Sequence, residues 1–454
     1  IMTNNKIGIW LSLSGNNILS GNNASNNDWC GIQLVNSSSN TLTCNTASKN
    51  FNGILLEDSS DNTIADNNIT ASHEEGIALV WSSNNNTIAA NNITNNFWGI
   101  HLDYSSNNTL RNNDFNGNRY NFYVFGDKLS DYIQDIDPSN TVGGKPVYYW
   151  VNRQDEEVPS DAGYVALVNS TNITVKNLNL KNNYHGLVLV FTENSLLTGN
   201  TVTDNLRGIY LTASCNNTIS GNNVTANKEE GVTLDWSSNN NTIVANNITN
   251  DPLGILLDRS SNNTIVANNI GNNVNFGIAL HRSDNTTIYH NNFVDNTNQV
   301  ISYDSVNVWD DSYPSGGNYW SDYTGVDVKS GSFQNETGSD GIGDTLHIID
   351  ENNRDRYPLM THWSPLPIKV FDVVWEDVHY PVATLSNSTI THFIFNQTLA
   401  QISFNVHGSP DTLGYCNVTI PKNLLRDDPW TVTIDGVPKT DFTQSTNDTH
   451  TFLY

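Results

Sequence analysis

Residues 74–95 read EEGIALVWSSNNNTIAANNITN, and residues 229–250 read EEGVTLDWSSNNNTIVANNITN. The same phrase thus returns after 155 residues. The glycines set the measure: Gly8, Gly31, Gly53, Gly76 and Gly99 recur as Gly163, Gly186, Gly208, Gly231 and Gly254, spaced by 22 or 23 residues within each set. A short unit has been repeated and a block of units then duplicated, the pattern of a stacked-repeat protein. The unit is G-I-x-L-x-x-S-S-N-N-T-I-x-x-N-N-I-T-x-N. Gly-Ile-x-Leu and Thr-Ile are short period-2 segments, hence strands. Ser-Ser-Asn-Asn and Asn-Asn-Ile-Thr are turn-rich, because Asn tolerates left-handed backbone and bonds to nearby main chain. No helical period or cap occurs. Three strands and three turns in one unit describe one coil of a parallel β-helix, an all-β fold.

Coils stacked at about 4.8 Å align identical residues into ladders. Ile9, Ile32, Ile54, Ile77 and Ile100 form one expected interior column; Leu11, Leu34, Leu56, Leu79 and Leu102 form another. About 13 coils are counted, a rod on the order of 60 Å long. The expected organisation is a first block at 1–120, an irregular coil with a hairpin excursion at 121–162, a second block at 163–300, an Asp/Gly/aromatic-rich cap and linker at 301–365, and a small β-sandwich at 366–454, where strand-like segments alternate with turns.

Composition excludes some functions. A formal charge of −26 with 20 Lys and Arg against 46 Asp and Glu argues against binding nucleic acid. There is no apolar run long enough for a membrane span. The first residue falls inside the repeat, as in a processed or truncated chain. Cys30, Cys44, Cys215 and Cys416 lack metal spacing and read as buried free thiols; Cys30 and Cys44 pair only if the turns bring them together.

Acceptor triplets for N-linked glycans are dense: Asn23, Asn36, Asn68, Asn85, Asn92, Asn107, Asn169, Asn172, Asn216, Asn223, Asn240, Asn247, Asn262, Asn285, Asn335, Asn387, Asn396, Asn417 and Asn447. Turn Asn before strand Thr creates this triplet within the repeat by construction. The acceptors of the tail escape that objection and favour an extracellular glycoprotein.

Two sets of residues carry possible chemistry. Asp322, Asp327, Asp340, Asp344, Asp350 and Asp355 cluster in sequence around glycine turns, an oxygen-rich set suited to calcium; without a cation they cap the last coil. The second set is a stripe just after each Gly-Ile-x-Leu strand: Glu57-Asp58, Val80-Trp81, Asp103-Tyr104, Val190-Phe191, Asp235-Trp236, Asp258-Arg259 and His281-Arg282. Aromatics beside carboxylates suit sugar stacking and hydroxyl recognition, and paired carboxylates suit glycoside chemistry. The stripe reads first as a solvated or interface face, because every coil carries something there. His101 with Asp103 is the pair to test first as catalytic.

The repeat, together with DPSNTVGGKPVYYWVN, NSTNITVKNLNL, GGNYWSDYTGVD and GSDGIGDTLHIIDENNRDRYPL, resembles archaeal surface proteins with NosD-like β-helices of the carbohydrate-binding and sugar-hydrolase (CASH) type. The tail FIFNQTLAQISFNV…CNVTIPKNLL…WTVTIDG resembles the C-terminal β-domain that often follows them. The resemblance implies a right-handed β-helix, secretion and N-glycosylation. The reading put first is a structural glycoprotein of an archaeal cell surface, sheath or filament. Its partners are copies of itself, joined head to tail at uncapped coil ends or laterally, and cell-surface glycans. The alternative is a carbohydrate-binding or polysaccharide-processing protein, which requires charged residues to converge on a few adjacent coils.

Overall fold

A computed structural model describes residues 1–364, 368–386, 388–408, 416–425, 430–439, 442, 444–446 and 449–453. The chain divides into two units, one of residues 1–324 and 346–359, the other of residues 325–345 and 360–454. The first unit is the parallel β-helix. Most coils contribute one six-residue strand to a first sheet and three-residue strands to a second and third, as in Glu75–Val80, Thr87–Ala89 and Asn92–Thr94. Six strands of the first sheet fall in the first block and eight in the second, about 14 turns, one more than the spacing suggests, because Lys145–Val151 of the irregular segment is itself a rung.

The expected columns are observed. Ile54 pairs with Ile77, and Ile77 with Ile100; Leu56, Leu79 and Leu102 run alongside. These side chains are fully buried, each worth about 2–3 kcal/mol of transfer free energy. Gly76 keeps its place because an added Cβ would lie 2.6 Å from the Gly99 carbonyl oxygen of the next coil.

A core this thin leaves its turns buried, so their polar groups must bond internally. Asparagine ladders do this. The Oδ1 of Asn86 accepts both the main-chain N–H (2.8 Å) and the side-chain amide (3.1 Å) of Asn62, and Asn108 does the same for Asn86. A serine ladder runs parallel, with Ser59 N–H donating to Ser83 Oγ at 3.1 Å. The tandem asparagines therefore divide their labour: one rung is buried and its neighbour, an acceptor such as Asn68 or Asn85, faces solvent. Every repeat acceptor is exposed, as are Asn335 and Asn396; Asn417 is half-buried, and Asn387 and Asn447 lie outside the described residues.

The two blocks do not form one continuous stack. The first sheet of block one ends at Tyr120–Phe125, while the first sheet of block two continues the third sheet of block one, through an antiparallel pairing of Thr141–Val142 with Lys145–Val151. Gly143 and Gly144, at φ 57° and 74°, make the tight turn between them. Tyr164–Val168 and His185–Val190 are consequently buried on both faces. Val165, Leu167, Leu187 and Leu189 point into the core of block two, and Tyr164, Ala166, Val168, Val188 and Val190 into that of block one. The end of block one is thus closed by the flank of block two. The far end of block two is closed by buried Trp309 and Trp320, and by Asn353 and Asp355, which extend its asparagine ladders.

The second unit holds a five-stranded antiparallel sheet that begins Ile368–Trp375 and Val378–Ser386, and a two-stranded one, Thr389–Asn396 with Gln401–His407. Val373, Val382 and Ile420 of the former pack with Phe393, Phe395 and Ile402 of the latter. Among the described residues no helix is long and apolar enough to cross a membrane. All four cysteines are free, and Cys30 alone is buried; Cys44 is exposed because it occupies a left-handed turn position at φ 54°.

Candidate functional site

Most coils leave the first sheet through a left-handed residue, and two of them, at Trp81-Ser82 and Trp236-Ser237, through two in succession. At this corner stand Leu13, Asn36, Asp58, Trp81 and Tyr104 in block one, and Asn169, Phe191, Ala213, Trp236, Arg259, Arg282 and Asp304 in block two, with φ between 41° and 50°. Asn and Asp are what such backbone favours; a bulky aromatic there is an outlier that costs on the order of 1–3 kcal/mol. Trp236 is nevertheless 59% exposed, so packing does not explain its presence. The Arg259 guanidinium lies over its ring, 4.5 Å from the centroid.

The strand residue before this corner faces outward, and parallel register lines these residues up. In block two, Thr212, Asp235, Asp258, His281 and Tyr303 occupy successive rungs. His281 Nδ1 lies 2.6 Å from Asp258 Oδ1, and the Tyr210 hydroxyl donates to Asp235 Oδ2 at 2.8 Å. Burial raises the Asp235 carboxyl above its ordinary range; the Tyr210 bond opposes this and the Asp258 charge adds to it. In block one the matching rungs are Val80, Asp103 and Phe125. Asp235–Asp258 is the one place in the two columns where carboxylates are adjacent.

A run of rings connects the blocks. His101 stacks on Tyr123 (4.7 Å between centroids), Tyr123 on Tyr184 (3.7 Å), Tyr184 meets His185 edge-on (4.6 Å), and His185 stacks on Tyr210 (4.4 Å), whose hydroxyl reaches Asp235. Arg207 beside it pairs with Glu229 (3.0 Å) and Glu230 (2.8 Å). His185 is 3% exposed, its Nε2 has no hydrogen-bond partner, and burial holds its imidazole neutral, its pKa well below the ordinary value.

His101 and Asp103, the pair singled out in the sequence, lie at the block-one end of this run. His101 Nδ1 faces Glu75 at 3.5 Å. Burial raises the Asp103 carboxyl; His101 counters this, and Asp127 and Asp131 of the excursion reinforce it. The sequence reading treats the stripe as spread evenly along a rod. It missed the convergence because the fold-back of 121–162 breaks the repeat and leaves no periodic signal. Tyr123, Tyr184, His185 and Tyr210 carry no motif, and only the register places them together.

The acidic loops form no comparable centre. Asp350 and Asp355 belong to the first unit and Asp327, Asp340 and Asp344 to the second. Asp355 is buried and accepts from Asn318 N, Trp320 Nε1 and Tyr357 N. Asp350 accepts from Asn352 and Asn353. Asp327 accepts from Ser339 Oγ and the amides of Asp340 and Gly341, Asp340 from Gly331 N and Ile342 N, and Asp344 from Val328 N and Lys329 N. Asp322 acts on the half-buried His347. Among the described residues no three His, Cys, Asp or Glu side chains gather as metal ligands do.

With this geometry in hand, comparison with known proteins identifies the class. The chain matches the NosD family, described as periplasmic copper-binding protein (NosD), over residues 1–152 and 139–325, and it belongs to that family. Its copper description finds no counterpart in the donor set: the described residues hold no metal-ligand group, the cysteines are scattered, and the chain has two methionines, Met2 and Met360. No curated protein matches. Similar solved structures include the periplasmic alginate epimerase AlgG (14% identity, 60% of this chain, 72% of that chain, TM-score 0.26). They also include the A-module of the mannuronan C-5 epimerase AlgE4 of Azotobacter vinelandii (16%, 66%, 82%, 0.26) and the Dettilon tailspike protein (12%, 99%, 82%, 0.28). At these values the likeness carries no argument about this chain.

Proposed function

We propose that this is an exported polysaccharide-binding β-helix protein, with a glycan chain lying along the Asp235–Tyr303 edge of block two and against Trp236. The observation that carries the reading is the exposed, conformationally costly Trp236 beside in-register carboxylate, imidazole and phenol groups. An exposed aromatic face stacks on the C–H face of a sugar, and carboxylates and His accept and donate to its hydroxyls. Successive rungs about 4.8 Å apart match the length of a hexose in an extended chain, so one coil serves one sugar. The periplasmic description of the family supports export. The convergence of groups at the block junction is what favours this reading over a sheath or filament glycoprotein.

Calorimetric titration against a panel of soluble polysaccharides tests the proposal. At least one is expected to bind, with affinity falling about tenfold or more in Trp236→Ala, equivalent to about 1.4 kcal/mol. Binding of none, or equal binding by the variant, removes this reading.

A further inference from the structure

We infer that His185 makes the junction of the two blocks acid-sensitive: its neutral ring closes the stack between them, and protonation opens it. His185 begins the strand His185–Val190. Its ring lies flat on Tyr210, 4.4 Å between centroids and 9° between planes. It meets Tyr184 edge-on at 4.6 Å and Tyr123 of block one at 6.1 Å. Tyr184 in turn stacks on Tyr123, the contact that joins the blocks. The imidazole therefore fills the space between that contact and the sheet of block two. Its Nε2 is buried and has no hydrogen-bond partner among the described residues. A neutral ring tolerates this. An imidazolium, with a donor on each nitrogen and a charge to hydrate, does not. Water reaches it only when the enclosing rings separate.

The groups that face His185 do not compensate an added charge. Arg207 is its partner in register, and a second cation there is repelled. Glu229 and Glu230 of the next coil are already engaged by Arg207. Asp235 is reached only through Tyr210, whose hydroxyl donates to it. Tyr123, Tyr184 and Tyr210 are phenols that burial keeps protonated. On the other side, Tyr164 turns into the core of block one. Burial first, and Arg207 second, hold the imidazole well below its ordinary value of 6.5.

The sign follows. An opened junction takes up a proton near 6.5, and the closed one does not. Closure is fully favoured above about 6.5, and its equilibrium falls about tenfold for each pH unit below. The carboxyls nearby act in the opposite sense. Burial raises Asp103, Glu230 and Asp235, so their contribution is present in acid and lost as pH rises. Among these groups the acid response belongs to His185. Tyr210 carries it to the outward edge of block two, because the same ring that stacks on His185 holds Asp235.

Hydrogen exchange of the full chain, read by mass spectrometry between about pH 7.5 and 5.5, tests this. Protection of Tyr120–Phe125 and His185–Val190 is referred to that of Leu253–Asp258 and Phe276–His281, which experience the same change in intrinsic rate. Relative protection at the junction should fall about tenfold per pH unit below about 6.5. His185→Phe keeps a flat ring, and His185→Leu a smaller apolar side chain; in each the fall should vanish. His101→Phe, at the far end of the run of rings, should retain it. In the parent, NMR of labelled imidazole carbons should show one of the eleven histidines staying neutral until the junction opens. Constant relative protection in the parent, a fall that persists in a folded His185 variant, or one abolished by His101→Phe overturns the inference. So does titration of all eleven imidazoles near 6.5 while the junction stays protected, a result that needs no variant to fold.

Discussion

The two blocks carry the same corner tryptophan, Trp81 and Trp236, on the same backbone, but they have been put to different uses. In block one the rung before the corner is Val80, followed by Asp103 and Phe125; in block two it is Asp235, followed by Asp258 and His281. Block one spends the outward face of its last strands, Trp98–Asp103 and Tyr120–Phe125, on rings that weld it to block two. Block two keeps the matching face open. Duplication supplied two copies of one scaffold; the weld decided which copy retained an exposed chemical face.

The largest expected effect tests whether both blocks share one kind of core. Ile77→Asp and Ile255→Asp each place a charge in a dry column, and each should cost more than about 4 kcal/mol. Circular dichroism melts should show loss of the host block in both; a parental melt for either breaks the register described for that block.

The weld is next. Tyr184→Ala removes the ring stacked on Tyr123 and should cost about 2–3 kcal/mol. The thermal transition should split in two as the blocks uncouple. A single transition at the parental temperature would show that the shared wall of Tyr164–Val168 suffices alone.

Asp251 sharpens the comparison through pH. It stands in the asparagine ladder of block two where block one has Asn96, and Asn227 donates to it as Ser72 donates to Asn96. Its Oδ2 is buried without a partner, and burial pushes its carboxyl up to about 7. The fold therefore favours the protonated form. Its stabilising contribution is complete below the unfolded value near 4 and is lost as pH rises through about 7. Asp251→Asn should raise the melting temperature at pH 7.5 and change little at pH 4. Asn96→Asp should do the reverse, destabilising block one only at the higher pH. Equal effects at both pH values would show that the carboxyl is already compensated.

Smaller still is the contrast between the tryptophans. Trp81→Ala should leave polysaccharide affinity within about twofold, against about tenfold for Trp236→Ala; equal losses would assign the two corners one shared role. Calcium held by Asp327, Asp340 and Asp344 remains a proposal of the sequence pattern. Their oxygens already accept main-chain amides, so the expected shift in melting temperature on chelation is the smallest here. A fall reversed by calcium would establish the site, and an unchanged melt in excess chelator would withdraw it.

Much of the fold was legible because a period of 22 or 23 residues repeats the same physics in every coil: the isoleucine and leucine columns, the asparagine turns and the Gly-Ile-x-Leu strand all follow from one unit. The carboxylates and tryptophans of the site were visible as a stripe. What could not be read was which of them face the same space. That depends on 121–162, where aromatic residues replace the repeat and the chain turns back through Gly143-Gly144; nothing periodic encodes a pairing such as Tyr123 with Tyr184. The adjacency of Asp235 and Asp258 was available from spacing alone, but so was that of every other pair, and only burial by Tyr210 and contact with His281 set it apart.

The glycine column has a consequence for descent. Each glycine is pressed against the main chain of the coil above, as Gly76 is against Gly99 and Gly231 against Gly254, so a coil can neither gain nor lose a residue there without colliding with its neighbour. Insertions are tolerated at the corners, and lengthening elsewhere must arrive as a complete coil. A lineage under this rule changes its reach in discrete steps, by unequal exchange between near-identical segments, and records each step as an echo in its own sequence. The interval of 155 residues from Gly76 to Gly231 is such an echo, copied as a whole and afterwards free to diverge only on the side that faces outward.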